Sequence, residues 1–63
     1  MNPQPQPVSR LRTKVGPYSI VEEDHALQSV PPFVILNSFA KEVERFHDLE
    51  EARRYAAQLA EAA

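Results

Sequence analysis

The chain has 63 residues with no cysteine, one glycine, six prolines and a formal net charge of -2. A chain this short buries only about 60% of the surface its unfolded form exposes, and without cysteine it has neither disulfides nor thiolate metal sites to compensate. The remaining common remedy is association with a copy of itself or with another protein.

The acidic balance counts against a protein that grips nucleic acid by bulk charge, because such domains are usually strongly basic. No apolar run approaches the roughly 18 residues of a membrane span, and the opening "MNPQPQPVSR" lacks the apolar centre of a signal peptide, so the expected location is cytoplasmic. Two histidines are too few to specify a structural zinc site, and no cofactor is expected.

Pro3, Gln4, Pro5, Gln6 and Pro7 alternate. Proline restricts φ and removes amide donors, so residues 1–8 are expected to form an extended, disordered arm preceding a single domain over 9–63. From Ser9 to Val15 the pattern is alternating, with Arg10, Arg12 and Lys14 on one side and Leu11, Thr13 and Val15 on the other. This predicts an edge strand with a basic outer face. Gly16 and Pro17 break it, and Tyr18 to Glu23 reads as a second strand. Residues 24–32, closed by Pro31 and Pro32, read as a loop.

Phe33 to Phe46 has the form of a hairpin. The apolar run Phe33-Val34-Ile35-Leu36 ends at Asn37-Ser38, and Glu42-Val43-Glu44-Arg45-Phe46 resembles a returning strand. Asparagine tolerates positive φ, which places the turn somewhere between Asn37 and Lys41 with Phe39 and Ala40 near its tip.

The last element is a helix. Asp48 can cap it, Glu51 follows at capping-box spacing, and Glu50 and Glu51 suit the N-terminal end of the dipole. Leu49, Ala52, Ala56, Leu59, Ala60 and Ala63 form one stripe, with Tyr55 at its margin and Glu50, Glu51, Arg54, Gln58 and Glu61 opposite. The predicted architecture is therefore α+β, a small antiparallel sheet of two to four strands on one C-terminal helix.

The run at 33–36 constrains function most. Phe33 and Ile35 point to one face and Val34 and Leu36 to the other, while a single helix covers only one. Either the chain's own N-terminal strand, the 24–32 loop or a frayed end folds over the second face, or another molecule does. Leaving two such side chains wet would forfeit about 1.5–3 kcal/mol each. The expectation is a homodimer or complex, meeting its partner through Val34 and Leu36 with the acidic residues Glu22, Glu23, Glu42 and Glu44 around them.

Other chemistry is sparse. His47-Asp48 beside Glu50 and Glu51 is a strand-to-helix junction in which Asp48 already has a capping role, and His25 lies in the acidic loop. With one glycine there is no phosphate-cradling loop, and Ser9, Ser19, Ser29 and Ser38 lack a nucleophile-elbow context. The reading is of a non-enzymatic binding protein, an accessory or inhibitory factor whose acidic groups would suit a basic partner surface. The alternative is a DNA- or RNA-binding module using Arg10, Arg12 and Lys14.

The short strands followed by "ERFHDLEEARRYAAQL" resemble the β-β-β-α arm-binding domains of tyrosine recombinases over roughly residues 18 to 60. That resemblance implies a sheet crossed by an alanine-rich helix, and a sheet face that reads the DNA major groove. Glu22, Glu23, Glu42 and Glu44 would repel phosphate, so it carries the fold without the DNA-reading role.

Overall fold

A computed structural model describes residues 9–24 and 29–62. The expected N-terminal arm, His25 and Ala63 lie outside the described residues. Four strands, β1 (Ser9–Val15), β2 (Tyr18–Glu23), β3 (Phe33–Leu36) and β4 (Glu42–Phe46), precede one helix, α1 (Leu49–Ala62). They form one antiparallel sheet in the order β1-β2-β3-β4, so every connection joins neighbours. The α+β architecture expected from the sequence is present with the upper number of strands.

The helix follows from its local chemistry. The Glu51 amide donates to Asp48 Oδ2 at 3.3 Å and the Ala52 amide to the Asp48 carbonyl at 3.1 Å, so Asp48 occupies the capping position. Fourteen residues give a helix about 21 Å long, enough to cross all four strands, each of which it contacts. Ala52 and Ala56 are fully buried against Ile20 and Ile35. Their single methyl groups let the helix lie close to the sheet, so the isoleucines supply most of the buried apolar area. Val15, Tyr18, Phe33, Phe46, Leu49 and Tyr55 surround this centre. The Phe46 and Tyr55 rings meet at 5.3 Å with a 52° tilt, a favourable aromatic geometry.

Both tight turns use left-handed backbone. Gly16, between β1 and β2, has φ 59°, and a Cβ placed there would stand 3.1 Å from the Ala60 Cβ. Glycine is thus required at this position by conformation and by the approach of the helix. In the β3–β4 turn the strained residue is Ala40, with φ 61°. Asn37 organises that turn. Its amide donates to the Lys41 carbonyl and its own carbonyl accepts from the Ala40 amide, both at 2.9 Å. Its Oδ1 accepts from the amides of Phe39 at 2.9 Å and Lys41 at 3.0 Å. Side-chain acceptance of this kind explains why asparagine turns the chain here without a following glycine.

Each edge strand carries one extra residue. Leu11 pairs with Val21 and Thr13 with Ile20, leaving Arg12 as a bulge in β1; Leu36 pairs with Glu42 and Ile35 with Glu44, leaving Val43 as a bulge in β4. A bulge shifts the side-chain parity of the strand beyond it. The uniform alternation expected for Ser9 to Val15 is therefore corrected. Thr13 and Val15 lie on the helix side, opposite or packed against core residues, whereas Leu11 crosses to the other face beside Val21.

Candidate interaction face

Directly paired residues of a sheet share a face, so the register defines the surface turned away from the helix. One row across it reads Leu11, Val21, Val34 and Arg45. The next reads Lys14, Ser19, Leu36 and Glu42. Glu23 stands two residues beyond Val21 on the same face. An apolar centre is thus bounded by Lys14 at one edge and by Arg45 and Glu42 at the other.

The centre is not uniformly exposed. Val34 is 1% exposed within the single chain. Arg45, its direct neighbour on β4, reaches across β3 to Glu23 on β2, with the Nη1–Oε1 distance at 2.9 Å. The same Nη1 donates to the Pro31 carbonyl at 3.2 Å, and Nε donates to Glu42 Oε2 at 2.9 Å. The aliphatic stem of Arg45 therefore runs beside Val34 while its guanidinium ties β4 to β2 and to Pro31, two residues before β3. The Glu42 hydrogen bond holds the guanidinium above its ordinary pKa against the opposing effect of burial, and Glu23 adds to the rise. With Val34 buried in the single chain, the need for another molecule over it, expected from the sequence, falls away. Leu36 and Val21 are half-buried, and Leu11 remains 60% exposed.

Of the six residues expected at a partner interface, Val34, Leu36, Glu23 and Glu42 share this face. Glu22 and Glu44 do not. They pair with Phe33 and Ile35, which point to the helix, so they flank the covered side. The basic residues separate too. Lys14 is on the open face opposite Ser19, Arg10 is on the helix side opposite Glu22, and Arg12 forms an ion pair with Glu22. Sequence alternation could not reveal this, because the bulge at Arg12 has no residue signature such as glycine.

The feature the sequence reading left without a role is the tip of the β3–β4 turn. Phe39 is 80% exposed there. The signal was present in the sequence as an aromatic residue inside a turn, but its exposure depends on the turn's position.

Elsewhere the groups with chemical potential serve the fold. His47 and Asp48 are exposed, and Asp48 caps α1. A hollow of about 270 Å³ lies between Val15 and the helix residues Glu50, Arg53, Arg54 and Ala57. Glu50 accepts from Arg53 at 3.2 Å, and both are more than half exposed, so this pair is solvated. Among the described residues, no group of three His, Cys, Asp or Glu side chains is placed to hold a metal ion, and no helix is long and apolar enough to cross a membrane. The chain matches no protein-family model, and no curated protein or solved structure matches it.

Proposed function

We propose that this protein is a non-enzymatic binding module that self-associates through the sheet face opposite its helix and serves as an accessory or inhibitory factor. The observation that carries this reading is the apolar centre of that face, where Leu11 is 60% exposed beside the half-buried Val21 and Leu36. A bulge that directs leucine to an uncovered face of a 63-residue chain costs apolar burial that so small a domain has little room to lose. Contact with another protein recovers it. Glu42, on the same face and 47% exposed, keeps a carboxylate oxygen for a basic group of the partner.

The nucleic-acid alternative has less support. Arg10 and Lys14 stand on opposite faces, and Arg12 is engaged by Glu22, so the three cations form no single stripe along which phosphates would lie.

Sedimentation equilibrium over a wide concentration range tests the reading. The expected result is a reversible monomer–dimer equilibrium that Leu11→Asp shifts toward monomer without loss of far-ultraviolet circular dichroism. A strict monomer at millimolar concentration overturns self-association.

A further inference from the structure

The geometry points to one arrangement for the second copy: a closed two-fold dimer in which the open sheet faces pack together about an axis parallel to the strands, with Lys14 of each copy against the partner's Glu42. This inference rests on the self-association proposed above and names its symmetry.

The register alone limits the possibilities. An axis parallel to the strands lays β1 over the partner's β4 and β2 over the partner's β3, row upon row. Lys14 then faces the partner's Glu42, Ser19 the partner's Leu36, and Leu11 the stem of the partner's Arg45. Each contact occurs twice, as a self-complementary interface requires. Sheets stacked face to face stand about 10 Å apart with strands within about 30°, a gap that lysine and glutamate can bridge from opposite sides. Lys14 forms no ion pair within the described residues, and Glu42 is 47% exposed with one oxygen engaged by Arg45.

The alternatives match the charges less well. An axis perpendicular to the strands stacks β1 on the partner's β1 and β4 on the partner's β4 and reverses the order of the rows, so that Glu42 comes over the partner's Arg45 but Lys14 over the partner's Leu11, with no carboxylate opposite it. Edge-to-edge pairing of two β1 strands sets Arg10, Arg12 and Lys14 against themselves across a bulge, which is how natural edges avoid such pairing. Two β4 edges oppose Glu42 and Glu44 in the same way.

The parallel axis also sets each β3–β4 turn over the partner's β1–β2 turn, bringing the exposed Phe39 beside the partner's exposed Pro17. A four-strand face offers a footprint of about 300 Å², well under the roughly 800 Å² per partner of a standard interface. The dimer is accordingly a weak, concentration-dependent one, held in register by charge.

A charge exchange tests the axis. In sedimentation equilibrium of the full chain at low salt, Lys14→Glu and Glu42→Lys are each expected to weaken self-association at least tenfold. An equimolar mixture of the two should associate as well as or better than the unaltered protein, because the mixed dimer has one pair of carboxylates facing one pair of ammonium groups. As a second measurement, Lys14→Cys and Glu42→Cys chains, made in a protein that otherwise lacks cysteine, should form a mixed disulfide in preference to either homodisulfide. If the unaltered protein dimerises but the mixture shows no recovery and the mixed disulfide is not favoured, this axis is overturned and the binding reading stands. If it never dimerises, both fall.

Discussion

Replacing Arg45 separates the two ways in which that side chain holds the sheet. Its guanidinium bonds Glu23 and Glu42, each at 2.9 Å, and the Pro31 carbonyl at 3.2 Å. The Glu42 pair is half exposed and contributes only a few tenths of a kcal/mol, about 0.5 at most. The Glu23 pair is better shielded, with side-chain exposures of 26% and 22%. It and the Pro31 bond contribute about 1 kcal/mol each. The stem beside Val34 adds about 1 kcal/mol, on the basis of about 0.8 kcal/mol per fully buried methylene and partial cover here. Arg45→Ala is therefore expected to cost about 3 kcal/mol, most of the roughly 3–5 kcal/mol that a domain of this size commands. Arg45→Met keeps the stem and should recover about 1 kcal/mol of that loss. The assay is urea denaturation followed by circular dichroism, comparing midpoints at constant slope. An Arg45→Ala cost below about 0.5 kcal/mol, the range of ordinary surface substitutions, would refute the reasoning and show that Val34 is held by other contacts. Because the folded-state pKa of Arg45 is raised above its ordinary value, its contribution is fully present below that ordinary value and lost only as pH rises through the raised one. The Arg45→Ala cost should thus show no dependence on Arg45 ionisation between about pH 6 and 9.

The two left-handed turn residues predict opposite outcomes. Ala40→Gly relieves a left-handed alanine, a strain of about 1–2 kcal/mol, against the greater flexibility glycine brings to the unfolded chain, about 0.5–1 kcal/mol. The midpoint of thermal unfolding should rise by a few degrees, and a fall would show that Asn37 does not hold Ala40 at positive φ. Gly16→Ala imposes the same strain and adds a methyl group 3.1 Å from Ala60. It should destabilise by about 1–3 kcal/mol in urea unfolding, combining backbone strain with crowding, and an unchanged midpoint would mean that the helix end does not pack on this turn.

The elements of this fold were legible because each has a local cause. Asp48 caps, the Leu49–Ala52–Ala56 spacing writes a helix face, and Gly16-Pro17 and Asn37 end strands. The β3–β4 pairing was legible as well, since a short connection leaves an antiparallel hairpin as the simple solution, whereas the order of the whole sheet was not. The candidate site was only half legible. Val34, Leu36, Glu23 and Glu42 do share a face, but Glu22, Glu44 and Arg10 lie on the other, and Leu11, the most exposed apolar residue in the strands, joins the face unexpectedly. The cause is a parity change of one residue in β1, and no single side chain encodes it.

Covering the second face shows the same division between sequence and tertiary structure. By itself the sequence determined that four consecutive apolar residues would need shelter on both sides of a strand, because side-chain alternation in a strand is a property of the backbone. Only the tertiary structure decided what provides that shelter. The Arg45–Glu23 ion pair joins residues 22 positions apart, and such a contact depends on how β2, β3 and β4 come to lie side by side. By the same route the bulge at Arg12 decided which residues were left uncovered.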